Sequence, residues 1–180
     1  MVIEKLETER LIFRGWKLED VNAIYEGLND FNVAKNITIP WPYKISDAKW
    51  FVENHLRNTE TYYEFAIVLK ETNKVIGGTA LIINKETNKN KGGIWINQKC
   101  AGKGLGSEAW LARIKFAFYT LGLTELENGF FEHNEISWKM QRKFGYKIVG
   151  VKESFCPALN KEVKEIVTRL TKEDFEKIYK

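Results

Sequence analysis

The amino-acid sequence predicts one domain over residues 1–180 of the α/β (α+β) class, with a mixed and mostly antiparallel central sheet. Two observations support this prediction. Runs of alternating apolar and polar residues, typical of strands, are separated by segments with helical periodicity. A glycine-rich segment joins one such strand to the most regular helix, and a further strand follows. We expect about six or seven strands and about four or five helices.

The composition is that of a globular protein with a sizeable core. Hydrophobic residues make up 44% of the 180 positions, and aromatic residues are plentiful. The formal net charge of +4 is modest and spread along the chain, so nucleic acid is not an expected partner. The amino-terminal residues lack the features of a signal peptide, and no stretch is apolar enough to span a membrane. We therefore expect a cytoplasmic protein with no membrane partner.

The two cysteines, Cys100 and Cys156, cannot form a disulfide framework. Nothing in the sequence has the Cys and His spacing of a metal site, so no metal is expected. Both cysteines are better interpreted as small buried hydrophobic residues.

The chain before the glycine-rich segment predicts strands and two helices. Alternation predicts a strand over residues 10–16, and helical spacing predicts a first helix over residues 18–28. Ser46 is a plausible N-cap for a second helix, in which His55 falls on the inner face and packs. Residues 62–69 and 74–83 predict a hairpin, followed by a polar turn over residues 84–91.

Residues 31–43 are predicted to form a loop that ends in an aromatic pair, Trp41 and Tyr43, stiffened by two prolines. Such a segment either caps the core or forms a wall of the substrate pocket. In the second case Trp41 and Tyr43 contact the substrate.

The second half of the chain predicts a strand, the glycine-rich segment, a helix and a returning strand. Residues 93–97 form the first strand, Gly122 ends the helix, and residues 125–132 form the returning strand. An apolar stripe defines the helix, with Arg113 and Lys115 off the stripe. Its members are Leu105, Ala109, Ala112, Phe116 and Tyr119.

The remaining residues predict a short helix, two strands and a terminal helix. The short helix runs through residues 134–144 and ends at Gly145. Residues 146–151 and 162–170 are the strands, joined through residues 154–161. Thr171 is the expected cap of the terminal helix.

The glycine-rich segment has the properties of an anion site. It consists of Ala101, Gly102, Lys103, Gly104, Leu105, Gly106 and Ser107. Glycine allows the backbone to turn and to approach a ligand closely, and the first turn of a helix leaves N–H groups without partners. The helix dipole adds positive potential there, so a phosphate or pyrophosphate is the expected ligand.

Three interpretations of this segment compete. The loop of phosphate-binding NTPases is excluded, because Lys103 is followed by glycine and not by serine or threonine. A dinucleotide fingerprint would place its third glycine at Ser107, which disfavours that interpretation without excluding it. The third possibility is a glycine-rich turn that binds nothing.

Four motifs in order narrow the choice. They are Thr8-Glu9-Arg10-Leu11 with Arg14, Gly93 with Trp95, Gly102-Lys103-Gly104 with Glu108-Ala109, and Asn134 and Ser137 followed by Lys143-Phe144-Gly145-Tyr146. Together they resemble the GNAT superfamily of N-acetyltransferases, and within it the RimJ/RimL-like branch of ribosomal-protein N-terminal acetyltransferases. The resemblance covers about residues 8–172.

The resemblance implies a GNAT fold, in which the sheet is splayed between its fourth and fifth strands to admit acetyl-CoA as co-substrate. The implied cofactor-binding residues are Trp95, Ile96, Ala101, Gly102, Lys103, Gly104, Leu105, Gly106, Ser107, Asn134 and Ser137. Backbone amides of the glycine-rich segment would hold the pyrophosphate, and main-chain groups near Trp95 and Ile96 would pair with the pantetheine. Ala101 departs from the family pattern of arginine or glutamine, and Lys103 is the residue that could compensate.

The resemblance also implies the catalytic residues of a direct transfer from thioester to amine, without a covalent enzyme intermediate. Ser137 would donate a proton to the departing thiolate, and Asn134 would orient CoA in addition to capping its helix. Position alone suggests Glu132, His133 and Glu153 as general bases, although each fits an exposed surface group better. Cys100 has no neighbour that would activate it as a nucleophile.

The leading hypothesis is therefore an acetyl-CoA-dependent N-acetyltransferase acting on a protein N-terminal α-amine, with a ribosomal protein as a candidate partner. A small amine such as a polyamine, amino acid or aminoglycoside is an alternative acceptor. A CoA-binding module without catalysis is a second alternative, for which Ala101 is the argument. A nucleotide-dependent oxidoreductase is disfavoured, because the glycine-rich segment follows some hundred residues of mainly β-rich sequence. The sequence is compatible with a monomer or a homodimer.

Overall fold

A computed structural model of the chain describes residues 3–56, 58–84 and 89–179. The strands are β1 (Lys5–Glu7), β2 (Leu11–Arg14), β3 (Tyr62–Leu69), β4 (Lys74–Asn84), β5 (Lys89–Lys91), β6 (Ile94–Ile96), β7 (Glu125–Phe131), β8 (Lys147–Cys156) and β9 (Lys161–Thr171). The helices are α1 (Val21–Leu28), α2 (Phe31–Ala34), α3 (Ile45–Asn54), α4 (Leu105–Lys115), α5 (Glu135–Lys143) and α6 (Lys172–Ile178). None of the helices in these ranges is long and apolar enough to cross a membrane.

The strands form two sheets, and all the paired strands within each sheet are antiparallel. This confirms the predicted class. The first sheet has the order β1-β2-β3-β4-β5, with β6 also paired to β4, and the second has the order β7-β9-β8. β5 and β6 pair with β4 in one register, Ile82 opposite Lys91 and Gly78 opposite Trp95, so they are two halves of one interrupted strand. The sheet divides between β6 and β7, as expected for the strands on either side of the glycine-rich segment and its helix.

The two sheets are joined at one end by the side chain of Asn90 in β5. Its Nδ2 donates to the carbonyl oxygen of Glu125 at 2.6 Å, and its Oδ1 accepts from the amide of Glu127 at 3.2 Å. Asn90 is only 4% exposed, so this amide replaces a main-chain partner for β7 inside the protein. β5 and β7 are therefore held together, whereas β6 and β7 separate and leave a gap between them.

Each side of the first sheet carries its own apolar cluster. On one side, α4 packs against both sheets. Leu105 and Ile114 of α4 and Leu126 of β7 belong to this cluster. On the other side, α1 and α3 pack through Ile24 and Val52. We call these the α4 face and the α1 face of the sheet.

The predicted stripe of α4 is wrong at its carboxyl end. A π-helical turn (Phe116–Thr120) continues α4, and its wider turn rotates the following residues. Phe118 is consequently buried, whereas Tyr119 is 52% exposed. Arg113, expected off the stripe, is also buried, and its Nε donates to the carbonyl oxygen of Ala80 at 3.2 Å.

The prediction of Ser46 as an N-cap is wrong as well. α3 begins at Ile45 after Lys44, whose amide donates to the carboxylate of Asp47 at 2.8 Å. An acceptor in the first turn thus caps the helix, and Ser46 is an exposed residue within it.

Three short elements escaped prediction, namely β1, α2 and β5. α2 lies in the predicted loop and is nucleated by Asp30, whose side chain accepts from the amide of Asn32 at 2.8 Å. β5 lies in the predicted polar turn, of which residues 85–88 are outside the described residues. In the predicted connection over residues 154–161, β8 and β9 extend into a hairpin with a turn at residues 157–160.

Candidate active site

The glycine-rich segment turns sharply into the amino terminus of α4. Gly102 and Gly104 have φ angles of 77° and 76°, a left-handed conformation that favours glycine. A Cβ atom at Gly102 would meet no atom within 4 Å, so the space beside it is open. The amides of Leu105, Gly106 and Ser107 lie in the first turn of α4. They therefore have no hydrogen-bond acceptor within the helix. Free amides at a helix start are groups that bind phosphate in proteins, and we call this place the candidate anion site.

The segment is braced by the amino-terminal strand. The Glu108 carboxylate, in the first turn of α4, accepts from the Thr8 hydroxyl at 2.6 Å, from the Arg10 amide at 2.9 Å and from Arg10 Nε at 2.6 Å. Arg10 Nη1 donates to the carbonyl oxygen of Lys103 at 2.9 Å. Burial alone would raise the pKa of Glu108, but these hydrogen bonds outweigh it and hold the pKa below its ordinary value. The first and third sequence motifs therefore meet in space.

Two lysines lie beside the candidate anion site. Lys143 Nζ, from the end of α5, donates to the Ser107 hydroxyl at 2.7 Å. Lys103 is exposed within the segment itself, as is Ala101. The arginine or glutamine expected at position 101 in the resembled family is replaced by Ala101, and Lys143 lies near the segment in addition to Lys103.

The main-chain groups of β6 alternate between β4 and the gap. In an antiparallel pair, every second residue bonds to the partner strand and the residues between them turn their N–H and C=O groups away. The Asn97 amide donates to Ile76 O at 2.8 Å, and Gly93 O accepts from the Ala80 amide at 3.0 Å. These two bonds fix which residues of β6 face β4.

By that alternation Trp95 directs its main chain toward β4, opposite Gly78. Ile94 and Ile96 direct theirs toward the gap. Of the two residues expected to pair with the pantetheine, Ile96 has its main-chain groups on the side of the gap, whereas those of Trp95 face β4.

The Trp95 side chain lies on the α1 face of the sheet. A Cβ atom added at either Gly27 of α1 or Gly78 of β4 would collide with its indole, so both glycines are needed for this close packing. Trp16 lies against the same spot of β4. The Ile94 and Ile96 side chains pack instead with the α4 cluster.

Ser137 lies in the first turn of α5, which follows β7. The Asn134 side chain caps this helix by accepting from the Ser137 amide at 3.1 Å, as predicted for an N-cap. Gln141, which is fully buried, donates from Nε2 to the Ser137 hydroxyl oxygen at 3.0 Å. The Thr168 hydroxyl in turn donates to Gln141 Oε1. Ser137 is thus attached to a buried polar chain that reaches the second sheet.

Asn128 of β7 is a further buried amide at this end of the sheet. It is 5% exposed, and neither its Nδ2 nor its Oδ1 has a hydrogen-bond partner in the described part of the chain. A buried amide without partners is costly in a folded protein.

The two aromatic residues predicted to contact the substrate, Trp41 and Tyr43, are partly or fully buried. Trp41 is half-buried against Phe31, with ring centroids 5.7 Å apart, and Tyr43 is buried in the α1-face cluster. Burial, with help from nearby carboxylates, raises the pKa of Tyr43 to about 12. The Lys35 carbonyl oxygen lies 2.8 Å from His133 Nε2 and accepts from the Cys156 thiol at 3.4 Å. The predicted loop over residues 31–43 therefore contacts the connection over residues 154–161.

Of the proposed general bases, Glu132, His133 and Glu153 are all exposed. Cys100 is half-buried and Cys156 fully buried, and both are free thiols. Within the described ranges, no three His, Cys, Asp or Glu side chains come together as a metal site.

Several polar residues of the site were not foreseen from the sequence. Asn128 and Gln141 are single amide residues in amphipathic segments, and Asn90 lies in the polar run over residues 84–91. To predict that such a residue is buried, one must know which group on another element forms its hydrogen bond. These partners lie far away in the chain. Only the occurrence of Asn in the middle of a strand pattern was a usable signal, because strands are depleted in it.

Comparisons with known proteins agree with this geometry. A family model described as the acetyltransferase (GNAT) domain matches residues 10–147. The uncharacterized N-acetyltransferase p20 of Bacillus licheniformis is 27% identical over 176 residues, covering 96% of this chain and 99% of that protein. The uncharacterized N-acetyltransferase YnaD of Bacillus subtilis is 27% identical over 156 residues, covering 86% of this chain and 89% of that protein.

Three solved structures share the fold. A GNAT-family acetyltransferase from Bacillus anthracis has a TM-score of 0.80 at 23% identity, over 94% of this chain and 99% of that one. The ribosomal-protein-S5-alanine acetyltransferase from Vibrio fischeri has a TM-score of 0.78 at 19% identity, over 96% and 99%. The microcin C7 self-immunity acetyltransferase MccE, solved with acetyl-CoA and AMP, has a TM-score of 0.75 at 18% identity, over 91% and 93%.

Proposed function

Since this chain belongs to the GNAT family of acetyltransferases and is an acetyl-CoA-dependent N-acetyltransferase, we propose that its acceptor is the free α-amine of a protein N-terminus. The observation that carries the proposal is that each of the two strands beside the gap leads into a helix. The glycine-rich segment follows β6, and Asn134 with Ser137 follows β7. The sequence motifs at these positions resemble the RimJ/RimL-like branch, and the fold is shared with the acetyltransferase from Vibrio fischeri.

In this proposal the chain holds acetyl-CoA, which supplies the acetyl group and the thiolate leaving group, at three places. The amides of residues 104–107 bind the pyrophosphate, with Lys103 and Lys143 nearby. The main-chain groups of Ile94 and Ile96 pair with the pantetheine amides, and Asn128 provides a further amide. The two unpartnered atoms of Asn128 are the observation that favours an amide-bearing ligand in the gap.

The proposed chemistry needs one donor for oxygen and one for sulfur. An N–H of Ile94 or Ile96 would stabilise the negative charge that develops on the thioester oxygen as the amine attacks. Ser137 would give its proton to the sulfur. Because Gln141 already donates to the Ser137 oxygen, the serine's own proton remains available for that role.

An acceptor screen tests the proposal. Purified protein is incubated with acetyl-CoA and three kinds of acceptor, and products are identified by mass spectrometry. The acceptors are peptides with a free N-terminus, the same peptides with a blocked N-terminus and an internal lysine, and small amines including a polyamine and an aminoglycoside. We expect acetylation of the free N-terminal α-amine, and loss of product with Ser137→Ala by roughly 10²-fold.

Each class of result has its own meaning. Product from small amines alone would overturn the proposed acceptor and favour a small-molecule substrate, as the fold shared with MccE allows. Product from blocked peptides would place the acetyl group on lysine. The pH dependence separates the amines further, because an α-amine becomes neutral near pH 8 and a lysine near pH 10.4.

A further inference from the structure

A carboxylate that the sequence did not single out, Glu64 of β3, lies on the α1 face of the sheet. Side chains alternate along a strand, and Glu64 shares its face with Ala66, a member of the α1-face cluster. Tyr63 and Phe65 point to the α4 face. Glu64 is 9% exposed, which is rare for a carboxylate without an ion pair.

The register of the sheet places Glu64 at one end of a groove. Glu64 pairs with Ala80, and the Ala80 amide donates to Gly93 O, so these three residues form one row across β3, β4 and the edge of the gap. Ala80 is half-buried and Gly93 exposed, and a Cβ atom at Gly93 would meet nothing within 4 Å. The side chains along this row are therefore the carboxylate of Glu64, the methyl group of Ala80 and the hydrogen of Gly93. The space over Gly93 is open.

The next rows form the walls of this groove. On one side Ala66, Gly78 and Trp95 stand in a row, with the indole over Gly78. On the other side Tyr62 pairs with Ile82. The groove ends at Gly93, beside the Ile94 main chain that faces the gap. Two strand spacings, about 10 Å, separate the Glu64 backbone from that point, which a glutamate side chain and one ammonium group can span.

The surroundings of Glu64 are polar and aromatic. The Tyr62 hydroxyl donates to Glu64 Oε2 at 2.6 Å, and the Glu64 amide donates to Asn58 Oδ1 at 2.7 Å. His55, stacked on Tyr62 with ring centroids 5.7 Å apart, and Tyr43 are the other titratable groups that face it. In residues 3–56, 58–84 and 89–179, no lysine or arginine pairs with it. Burial raises the pKa of Glu64, against the opposing effects of Tyr62 and His55.

We propose that Glu64 binds the ammonium group of the acceptor in this groove and accepts its proton, so that the neutral amine forms beside the gap. This inference rests on the proposed function, because it requires an amine acceptor. A protonated amine needs a negatively charged partner, and the buried Glu64 carboxylate has no cation paired with it in the described ranges. The row of small residues leaves room for the carbon atom that carries the amine. None of the exposed carboxylates near β7 has these properties.

The step is balanced in atoms and charge. The ammonium gives one proton to the Glu64 carboxylate, and the neutral nitrogen forms a bond to the acetyl carbon. The carbon–sulfur bond breaks, its electron pair stays on sulfur, and the sulfur takes the Ser137 proton. The nitrogen loses its second proton to solvent, which returns one proton to Ser137, and Glu64 releases its own. The net products are the amide, the CoA thiol and one proton.

The test compares Glu64→Gln with wild type and with Glu7→Gln, which removes a carboxylate from the far edge of the same sheet. We expect Glu64→Gln to lower kcat/KM for the acceptor by about 10²-fold and to leave the calorimetric Kd for acetyl-CoA within about twofold. Glu7→Gln should match wild type in both. The loss in Glu64→Gln should be largest below about pH 8, where an α-amine is protonated, and smaller above it, where the amine is neutral without a base.

Thermal melting separates this role from a structural one. Replacing a buried carboxylate by a neutral amide removes a desolvation cost, so the Tm of Glu64→Gln should equal or exceed that of wild type. Full acceptor turnover by Glu64→Gln, or lost turnover together with a lower Tm and weaker acetyl-CoA binding, would overturn the inference. Failure of wild type to acetylate any amine would instead contradict the proposed function.

Discussion

Gln141 Nε2 donates a hydrogen bond to the Ser137 hydroxyl oxygen at 3.0 Å, one helical turn apart on α5. Gln141 has no solvent exposure, and its Oε1 is occupied by the Thr168 hydroxyl of β9. The side-chain amide is therefore fixed from both ends. Such a fixed donor sets the orientation of the Ser137 hydroxyl group. Through Gln141, the proposed proton donor is thus connected to the second sheet.

Replacing Gln141 by Leu should lower kcat by about tenfold and leave the Kd for acetyl-CoA nearly unchanged. The substitution keeps the volume of the side chain but removes the group that orients Ser137. Steady-state kinetics and calorimetry measure the two quantities. In the background of Ser137→Ala, Gln141→Leu should cause no further loss, since the two residues then act as one unit. An equal loss in both backgrounds would show that Gln141 only packs.

A charge at Gly106 should weaken acetyl-CoA binding. Gly106 lies in the first turn of α4, and a Cβ atom there would be 3.8 Å from Ile96 Cγ1, an ordinary contact. Gly106→Asp places a negative charge beside the candidate anion site and should raise the Kd by about tenfold or more. Gly106→Asn has the same shape without the charge and is the matched control. Equal Kd values for the two variants would contradict an anion site at this helix start.

Loss of the Asn90 amide should destabilise the protein and widen the gap. Asn90→Leu leaves the Glu125 carbonyl and the Glu127 amide without their partner, at a cost of about 2 kcal/mol in the free energy of unfolding. We also expect a higher Kd for acetyl-CoA, because β5 no longer holds β7. Denaturant unfolding and calorimetry give the two values. Asn54→Leu, at an exposed helix end, should change the free energy by less than about 0.5 kcal/mol.

The brace between the amino-terminal strand and α4 should be sensitive to acid. The Glu108 pKa is lower in the folded protein than its ordinary value of 4.5, so the stabilisation is present above pH 4.5 and is lost as the pH falls through the lower folded value. Hydrogen exchange of the Arg10 amide, which bonds to Glu108, reports this directly. It should accelerate beyond the intrinsic rate change as the pH falls below 4.5.

Glu108→Gln should remove that pH dependence, because an amide does not titrate in this range. The Arg10 amide should then exchange quickly at neutral pH as well. Glu162→Gln, an exposed strand carboxylate, is the control and should behave as wild type. Slow Arg10 exchange in Glu108→Gln at neutral pH would mean that the amide is protected by something other than this carboxylate.

The sequence was sufficient for the elements that depend on local signals. Thr171 caps α6 by accepting from the Asp174 amide at 3.1 Å, and Gly122 and Gly145 end their helices at φ angles of 71° and 93°. Each of these depends on residues within one turn of each other, which a single sequence displays. The order of strand, glycine-rich segment and helix followed in the same way.

Features that depend on distant partners were not predictable. Arg113 looked like a surface residue by helical spacing, yet the close approach of β4 gives its Nε a carbonyl acceptor at Ala80. Ser46 has the right chemistry for an N-cap, but the helix starts two residues earlier than that cap would imply, because Asp47 caps it from within. Glu64 is 9% exposed, although its place in the strand pattern does not distinguish it from a surface carboxylate. In each case contacts with residues outside the local pattern determined the environment of the residue, which the local sequence did not specify.

The gap between β6 and β7 also bears on the solubility of the enzyme. It leaves the main-chain groups of Ile94 and Ile96 directed away from β4, as at the edge of a sheet. Such an edge is a template on which another chain can add a strand, and proteins usually cover it with a bulge, a charge or a loop. Here the co-substrate would be the cover. A liganded molecule would therefore have no free edge at this place, whereas an unliganded one would offer these main-chain groups to another chain.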